Sequence, residues 1–331
     1  MTTMLASRLV ARGRIEVTSV PIPTIGPEQV LIGMKVGAIC GSDLHVVYDG
    51  FEPAELPAPA GFPGHEGVGV VVDSTSSNYL PGDRVLTLPE AVNATCFAEY
   101  QRAEARSLVK LPLGVELKRL VMAQQLGTVV FALKKFWPAA GATCATVIGC
   151  GSIGLFFLQM LKRIGFEHVI VADPELERRK VALHLGATEV VDPRTESIVE
   201  ATLALTNGRG ADLAIEAAGY DSARALAIAS AALGGRVGLF GYPERKGDAP
   251  FPFELAFRKG LTVEMITNAQ LEPGLESFRE AVTLVVDNQI QVDYLLSESI
   301  GLADIGKAFE RARDHRVLKV AIDLTSRRAN T

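Results

Sequence analysis

The sequence predicts an α/β protein in which a β-rich first third is followed by a doubly wound parallel sheet. Up to about residue 125, short alternating or apolar runs are separated by clusters of proline and glycine, and such runs are typical of short strands. After that point the pattern changes to strands that alternate with helices, which indicates βαβ units and a parallel sheet covered by helices. The length of 331 residues corresponds to about two domains.

The predicted elements follow one another in a simple order. In the first third, each predicted strand is bounded by proline or glycine, and these strands span 28–36, 67–73 and 84–88. In the second part, the predicted elements are strand 145–148, helix 152–164, strand 168–172, helix 175–185, strand 188–191, helix 195–206, strand 213–217, helix 222–232, strand 235–240 and strand 261–266. The last part contains amphipathic helices at 275–286 and 302–313 and a closing strand at 318–323.

Composition excludes several classes of protein. Hydrophobic residues make up 48% of the chain and charged residues 21%, which is the balance of a folded globular protein and not of a disordered one. A net charge of −5 gives no overall attraction to nucleic acid or to anionic lipid. The four cysteines are too few for a disulfide scaffold in a chain of this length. We therefore expect neither nucleic acid nor a membrane as a partner.

One stretch raises the question of a membrane span, because no charged residue occurs between Phe136 and Leu161. Pro138 and four glycines interrupt this stretch, whereas a transmembrane helix needs about 20 mostly apolar residues without such interruptions. A buried strand that leads into a buried helix leaves the same gap in charge, and we favour this interpretation. The N-terminal segment lacks the features of a secretory signal, so we expect a cytoplasmic location.

A glycine-rich motif follows the first strand of the second part. Gly149, Gly151 and Gly154 match the pattern G-x-G-x-x-G between a predicted strand and a predicted helix, which is the context that a dinucleotide site requires. The first glycine permits a tight turn, the second lets the backbone approach a pyrophosphate, and the third lets the helix pack on the sheet. Ser152 and Ile153 begin the helix, whose unpaired N–H groups and positive dipole end favour phosphate.

Asp173 stands at the end of the next predicted strand, where a carboxylate can accept hydrogen bonds from both ribose hydroxyls of the adenosine. It would also repel a 2′-phosphate, which favours NAD over NADP. Arg178 can either hold a 2′-phosphate or lie over the adenosine. A simpler alternative is that Asp173 caps the following helix and has no role in binding a cofactor.

Two short segments of the first third contain residue types that bind zinc. Cys40 lies in one segment, and His65 and Glu66 lie in the other, with glycines around both. Three protein ligands and one open position are typical of a catalytic zinc site. Taken singly, a cysteine is most often a core residue and a histidine most often a structural one. The clustering upstream of a nucleotide motif favours a metal site.

These motifs together resemble the medium-chain, zinc-dependent alcohol and polyol dehydrogenase family over essentially the whole chain. Besides the glycine motif, the resemblance is carried by the segments Cys40–His45, Gly64–Gly69, Pro81–Val85, Phe97–Tyr100, Gly186–Ala187 and Leu318–Val320. It implies a GroES-like catalytic domain (1–126), an NAD-binding Rossmann domain (127–268) and a C-terminal segment (269–331) that returns to the catalytic domain.

The resemblance implies a role for each candidate residue of the first domain. Cys40 and His65 would be zinc ligands, and Glu66 would be a third ligand or one that exchanges with water. Asp43 would orient the imidazole of His65 from behind.

The same resemblance implies a proton relay. Ser42 would pass on the proton of the alcohol through its hydroxyl, and His45 would release that proton to solvent, since histidine changes charge near physiological pH. His45 could alternatively be a structural residue of the turn.

The sequence departs from the family in two places. Many members carry four closely spaced cysteines for a structural zinc, whereas the segment 86–95 is short here and only Cys96 follows it. We therefore predict one catalytic zinc and no structural zinc. Where the family places a further acidic or cysteine ligand, this chain has Gln124. An amide oxygen is a poor zinc ligand, so either water fills this position or Gln124 contacts the substrate.

The expected activity is hydride transfer between NAD and a polyol, a sugar-like substrate or a secondary alcohol. Leu88 and Phe97 are candidates for an apolar pocket, which would favour simpler alcohols. A zinc-free NADPH reductase of quinones or alkenes with the same fold, and a non-enzymatic nucleotide-binding protein, are the alternatives. The metal-ligand candidates and Asp173 argue against both. By resemblance, the strand at 261–266 would pair with its twofold mate in a homodimer or homotetramer.

Overall fold

A computed structural model of the chain describes residues 2–51, 55–90, 93–138, 140–314 and 317–325. The chain divides into two compact units, one formed by residues 1–128 and 270–331 and the other by residues 129–269. We refer to them as the first and second units.

Among the described residues, the strands in chain order are β1 (Thr3–Ala11), β2 (Arg14–Pro21), β3 (Gln29–Ala38), β4 (Glu66–Ser74), β5 (Arg84–Thr87), β6 (Tyr100–Glu104), β7 (Leu108–Lys110), β8 (Cys144–Ile148), β9 (His168–Ala172), β10 (Glu189–Val191), β11 (Ala211–Glu216), β12 (Ala231–Leu239), β13 (Thr262–Met265), β14 (Glu298–Gly301) and β15 (Val320–Asp323). The α-helices are α1 (Gly41–Leu44), α2 (Leu117–Leu120), α3 (Ala123–Phe136), α4 (Ser152–Arg163), α5 (Leu176–His184), α6 (Ile198–Leu205), α7 (Asp221–Ser230), α8 (Phe253–Lys259), α9 (Glu276–Val286) and α10 (Ile305–Ala312).

The first unit is built on a mostly antiparallel sheet with the strand order β14-β15-β3-β4-β5-β7, and β6 also pairs with β3. Ala38 at the end of β3 lies opposite Glu66 at the start of β4 and also opposite Ala321 of β15. The segments that follow β3, begin β4 and precede β15 therefore meet at one edge of the sheet. Behind them lies a hydrophobic core that includes Ile32, Met34 and Phe97.

The second unit contains a parallel sheet with the strand order β10-β9-β8-β11-β12-β13. The chain runs outward from β8 in both directions, which is the order of a doubly wound dinucleotide-binding sheet. The predicted fold class is confirmed: a β-rich domain and a doubly wound parallel sheet occur in one chain.

Most predicted elements of the second unit occur within a few residues of their expected bounds, and the largest difference is at the start of β12. The strand predicted at 235–240 begins at Ala231, directly after α7 ends at Ser230. The alanine-rich sequence contains no stop signal, and pairing of Ala231 with Ala211 of β11 overrides its helical preference.

Several elements were not predicted, among them β1, β2 and α3. Helix α3 is buried on nearly all sides over its first ten residues, and a helix that is apolar all round lacks the periodicity by which helices are found. The charge-free stretch from Phe136 to Leu161 forms the end of α3, strand β8, the glycine turn and most of α4. Within the part of the chain that the structure describes, no helix combines the length and apolar character that crossing a membrane requires.

Candidate active site

The structure brings Cys40, His65 and Glu66 together in the first unit. Their candidate ligand atoms all lie within 4.8 Å of one another. Cys40 follows β3 and precedes α1, His65 directly precedes β4, and Glu66 begins that strand. Because β3 and β4 are antiparallel neighbours, the end of one strand and the start of the other necessarily meet. Cys40 and His65 are partly exposed, whereas Glu66 is buried.

Asp43 holds both Cys40 and His65 in place, and its predicted contact with His65 is present. Its Oδ1 lies 2.9 Å from His65 Nδ1, and its Oδ2 accepts a hydrogen bond of 2.9 Å from the backbone N–H of Cys40. With Nδ1 engaged in this way, Nε2 is the imidazole nitrogen left for a metal. Burial by itself would lower the pKa of His65, but the charge of Asp43, its hydrogen bond and the nearby Cys40 raise that pKa well above the usual value.

Glu66 has a partner that the sequence did not reveal. Lys319, which directly precedes β15, donates to both carboxylate oxygens of Glu66 at 2.9 and 2.8 Å and to the backbone oxygen of Ile39 at 3.0 Å. Both side chains are buried, and a buried charge is tolerated only when it is paired and hydrogen-bonded. The sequence did contain a signal for this contact. Lys319 lies in the segment Leu318–Val320, which carried part of the resemblance, and it is a charged residue in the otherwise apolar start of a predicted strand.

The donor set of this cluster fits zinc. A thiol sulfur, an imidazole nitrogen and a carboxylate within 4.8 Å of one another are the ligand types that zinc prefers. Within the described residues, Sγ of Cys40 and Nε2 of His65 take part in no buried ion pair. The carboxylate of Glu66, in contrast, is already paired with Lys319. Cys40 and His65 are therefore the stronger candidates, because the charge of Glu66 is already compensated by Lys319.

The predicted relay residues lie next to this cluster in sequence. Ser42 is partly buried in α1, and His45 begins a π-helical turn, His45–Asp49. Such turns occur mostly as short bulges and frequently at functional sites. The Nδ1 of His45 lies 2.7 Å from Oδ2 of Asp49, and the His45 ring packs against Phe51 with 5.4 Å between ring centroids. These contacts fix the orientation of the His45 ring.

Two glutamines begin α3 near the cluster. Gln124, which the sequence pattern singled out, is 9% exposed. The neighbouring Gln125 is the one that reaches the cluster, since its Nε2 lies 3.8 Å from Cys40 Sγ. Sequence reasoning missed Gln125, because residue type alone does not distinguish two adjacent glutamines at a helix start.

Cys96 and the predicted pocket residues lie in the core of the first unit. Cys96 is fully buried, and its thiol donates to the backbone oxygen of Glu66 at 3.3 Å, so it packs behind the strand that holds the candidate ligand. Leu88 and Phe97 are also buried, and Phe97 packs edge-on against Phe309. The interpretation of Phe97 as a pocket residue was wrong, because its ring is a core residue of the sheet.

The glycine turn of the second unit connects β8 to α4 with the geometry that the motif predicts. Gly149 has φ of 104°, which disfavours any other residue. A Cβ at Gly154 would lie 1.8 Å from the backbone oxygen of Gly149, so only glycine fits there. A Cβ at Gly151 would meet only the Arg178 guanidinium, at 4.0 Å. Gly151 precedes α4, which begins with Ser152 and Ile153, so the turn leaves a cradle at a helix N-terminus.

Asp173 lies at the carboxyl end of β9, directly beside this turn. Its Oδ2 accepts from the backbone N–H of Cys150 at 2.7 Å, and its Oδ1 accepts from that of Glu175 at 2.8 Å. The second bond closes a short turn that precedes α5, whose N-cap is Glu175 and which has no side-chain cap, so Asp173 does not cap this helix. Arg178 Nη1 lies 3.8 Å from Oδ2 of Asp173. The structure thus brings the glycine turn, Asp173 and Arg178 together, with Asp173 3% exposed.

Comparison with known proteins gives the family. Residues 26–113 match the model of the alcohol dehydrogenase GroES-like domain, and residues 152–287 match that of the zinc-binding dehydrogenases. L-threonine 3-dehydrogenase of Bacillus subtilis (strain 168) is 31% identical over 332 residues, which cover 92% of this chain and 94% of that protein. The crystal structure of 2R,3R-butanediol dehydrogenase from Bacillus subtilis matches with a TM-score of 0.82 and 26% identity, over 97% of this chain and 99% of that one. A zinc-binding dehydrogenase from Sinorhizobium meliloti 1021 bound to NADP matches with a TM-score of 0.85 and 25% identity, over 98% of this chain and 100% of that one.

The chain belongs to the medium-chain, zinc-dependent alcohol and polyol dehydrogenase family. This confirms the resemblance found in the sequence. Membership defines a zinc-dependent oxidoreductase with a nicotinamide cofactor, and it does not favour the zinc-free reductase or the non-enzymatic alternative.

Proposed function

We propose that this protein is an NAD-dependent dehydrogenase that oxidises a secondary alcohol carrying a neighbouring polar group. The observation that carries the proposal is the cluster of Cys40, His65 and Glu66 with Asp43 behind it. In this proposal, residues 1–126 and 269–331 form the catalytic domain and residues 127–268 the nucleotide-binding domain.

Cys40 and His65 would hold a catalytic zinc, and Glu66 would bind it in exchange with water. When bound, zinc acts as a Lewis acid that makes the hydroxyl of the alcohol more acidic. Asp43 supports this role, because its contact with His65 Nδ1 presents the other ring nitrogen to the metal. The ion pair with Lys319 supports the exchange, because it would stabilise the Glu66 carboxylate when water takes its place as a ligand. Water or Gln124 would complete the site.

Ser42 and His45 would carry the proton that the alcohol loses. The hydroxyl of Ser42 can accept a proton from the substrate and donate its own, and His45 can release the proton to solvent. The contact of His45 with Asp49 supports this role, since the carboxylate at Nδ1 fixes the orientation of the ring. We expect Ser42→Ala and His45→Ala to lower kcat by about 10²-fold or more.

NAD is the proposed cofactor, held by Gly149, Gly151, Ser152, Ile153 and Gly154 through the backbone of the turn. Asp173 would bind the adenosine ribose, and its negative charge disfavours a 2′-phosphate. Arg178 lies beside both the turn and Asp173 and would contact the cofactor there. The relative from Sinorhizobium meliloti was solved with NADP, so the ratio of kcat/KM for NAD and NADP is the direct test. A preference for NADP would contradict the assigned role of Asp173.

The substrate class is proposed from what the relatives' names have in common. Threonine, butanediol and sorbitol each carry a secondary alcohol next to another polar substituent. We expect NAD reduction with 2,3-butanediol, L-threonine or sorbitol to exceed that with 2-butanol, which has the same carbon chain as butanediol without the second hydroxyl. Equal rates with 2-butanol and 2,3-butanediol would contradict the requirement for a neighbouring polar group.

Metal analysis tests the zinc site independently of the substrate. We expect about one zinc per chain and a clear loss in Cys40→Ser, because serine oxygen is a far poorer ligand than thiolate. Two zinc ions per chain would contradict the proposed absence of a structural zinc. A single zinc that is retained in Cys40→Ser would contradict the assigned ligand.

A homodimer or homotetramer and a cytoplasmic location complete the proposal. Strand β13 ends the sheet of the second unit, and its last residue, Met265, is 71% exposed. An open edge with exposed apolar residues suits pairing with a second copy. The four cysteines are unpaired thiols, as in proteins of a reducing compartment. Light scattering on the purified protein measures the oligomeric state.

A further inference from the structure

Gln125 is a buried residue of the first unit that contacts Cys40. It lies in the first turn of α3 and is 3% exposed. Its Nε2 lies 3.8 Å from Cys40 Sγ, which is an N–H···S hydrogen bond. Its backbone oxygen accepts from Thr128 Oγ1 at 2.7 Å. The residue is therefore fixed at its backbone by the helix and at its side chain by the cysteine sulfur.

The other end of the Gln125 amide is the oxygen Oε1. Its Oε1 is buried and accepts no hydrogen bond from any residue in the described ranges. A buried acceptor without a donor destabilises a folded protein, and methionine would fill similar space without that penalty. Stability alone therefore does not explain a glutamine here. What the Gln125 side chain supplies, and methionine would not, is the N–H group that it donates to Cys40 Sγ.

We propose that Gln125 is a positioning residue that orients the Cys40 thiolate and draws electron density from its sulfur through this hydrogen bond. The thiolate is the form of cysteine that binds a metal. The hydrogen bond from Gln125 Nε2 restricts the direction of Sγ. Residues behind the ligands act in this way in metal sites generally. The inference rests on the proposed zinc site, because it gives Gln125 a role toward that metal.

Metal binding by Gln125→Met tests the inference. The full-length protein is stripped of metal, the zinc Kd is measured by competition with a chelator, and the Co²⁺ form is measured for its thiolate-to-metal charge-transfer band. We expect the zinc Kd to rise about tenfold or more, because Sγ is no longer held in one direction and this loss outweighs the stronger donation of a sulfur without the hydrogen bond. The band should move to lower energy, because sulfur without the hydrogen bond holds its electrons less tightly. The melting temperature of the metal-free variant should equal or exceed that of the parent, since the unpaired Oε1 is lost as well.

Gln101→Met is the matched control. Gln101 is a buried glutamine of the same unit, 1% exposed, in strand β6 opposite Ile32 of β3. Within the described residues, both of its amide atoms are unpaired. This variant should therefore keep the zinc Kd and the charge-transfer band of the parent. A shift of equal size in both variants would show a general effect of replacing a buried glutamine and would overturn the inference.

The remaining outcomes separate this inference from the proposed function. A parent that binds Co²⁺ through Cys40, together with a Gln125→Met protein that keeps the parent's band and zinc Kd, overturns the role of Gln125 alone. A parent that takes up no Co²⁺ overturns the proposed metal site and the inference with it. If Gln125→Met does not fold, Gln125→Leu removes the same N–H group from the helix, and the same shifts are required of it.

Discussion

In the first unit, the side chains of Cys40, His65 and Lys319 come from segments that are far apart in the sequence, whereas the glycine turn of the second unit is one continuous run, Gly149–Gly154. The first site depends on which side chains are present and on what each one contacts. The second depends on the absence of side chains, since a Cβ at Gly154 would overlap the backbone of Gly149. One site is thus assembled by sheet topology, and the other is built into local backbone geometry.

This difference determines how each site should respond to substitution. A site of paired side chains contains buried charges whose removal leaves a partner uncompensated, so single changes are costly and paired changes are less so. A site of backbone groups contains no such pairs, and it fails when an added atom displaces the turn. Four predictions test this contrast, beginning with the largest expected effect.

Lys319→Met should cause the largest loss of stability of the four. It leaves the buried carboxylate of Glu66 without its cation, and breaking a buried pair from one side costs about 3–5 kcal/mol of unfolding free energy. Lys319→Arg, which keeps the charge, should lose much less. Added zinc should recover part of the loss in Lys319→Met, because the freed carboxylate becomes available as a ligand. Chemical denaturation with and without zinc measures each effect.

The double variant Lys319→Met with Glu66→Gln provides the decisive comparison for this pair. Removal of both charges should restore a large part of the lost stability, because no buried charge remains uncompensated. Equal stability of Lys319→Met and Lys319→Arg would contradict the view that the charge of Lys319 stabilises this site.

Gly154→Ala and Gly151→Ala should separate folding from cofactor binding in the glycine turn. A Cβ at Gly154 lies 1.8 Å from the oxygen of Gly149, and an overlap of this kind costs about 1–3 kcal/mol or more of unfolding free energy. A Cβ at Gly151 meets only the Arg178 guanidinium, at 4.0 Å, so this variant should keep the parent's stability. Its affinity for NAD should fall about tenfold, which corresponds to about 1.4 kcal/mol, because the backbone can no longer approach the pyrophosphate closely.

Thermal unfolding and NAD titration of both variants check this prediction. If Gly151→Ala binds NAD as tightly as the parent, the pyrophosphate does not approach the turn at that residue. If Gly154→Ala is as stable as the parent, the turn has more room than its geometry indicates.

The same contrast explains what could be predicted from the sequence. The spacing of the glycines and of Asp173 predicted the tight turn between β8 and α4, because consecutive residues determine local geometry. Cys40 and His65 were identified by residue type. Lys319, the partner of Glu66, and Gln125, the partner of Cys40, were not assigned, because contacts between residues so far apart follow from strand pairing and helix placement. Helix α3 escaped prediction for a related reason, since burial on nearly all sides removes its periodicity.

Asp173→Asn should alter the choice of cofactor. The substitution removes the charge that repels a 2′-phosphate, so the ratio of kcat/KM for NAD to that for NADP should fall about tenfold, or about 1.4 kcal/mol. Asp212→Asn is the matched control, because Asp212 also accepts two backbone N–H groups, from Thr143 at 2.8 Å and Cys144 at 3.0 Å. Asp212 lies beside the amino end of β8 and not beside the glycine turn. A change of equal size in both variants would show that loss of any such carboxylate alters the ratio.

Glu216→Gln should give the smallest effect and should show it as a dependence on pH. Glu216 ends β11 and is 1% exposed, and burial raises the pKa of its carboxyl group above the ordinary value of 4.5. The folded protein therefore holds this proton more tightly than the unfolded chain does. The stability that Glu216 contributes is present below pH 4.5 and is lost as the pH rises through the raised pKa.

Glutamine keeps the carbonyl that accepts from the backbone N–H of Ala218 at 2.6 Å, but it does not titrate. The melting temperature of the variant relative to the parent should therefore rise between pH 4.5 and neutrality and then level off. The amide nitrogen of glutamine cannot accept a hydrogen bond as the second carboxylate oxygen can, but this loss would change the melting temperature by the same amount at every pH. The pH dependence of the difference in melting temperature therefore reports the buried charge alone. Glu254→Gln, at a side chain that is 77% exposed, should show a much smaller slope. The difference in melting temperature between Glu216→Gln and the parent could instead stay constant between pH 4.5 and neutrality. That result would mean that backbone contacts of the second unit fully offset the cost of burying the charge of Glu216. The Glu216 site would then depend on backbone groups, as the glycine turn does.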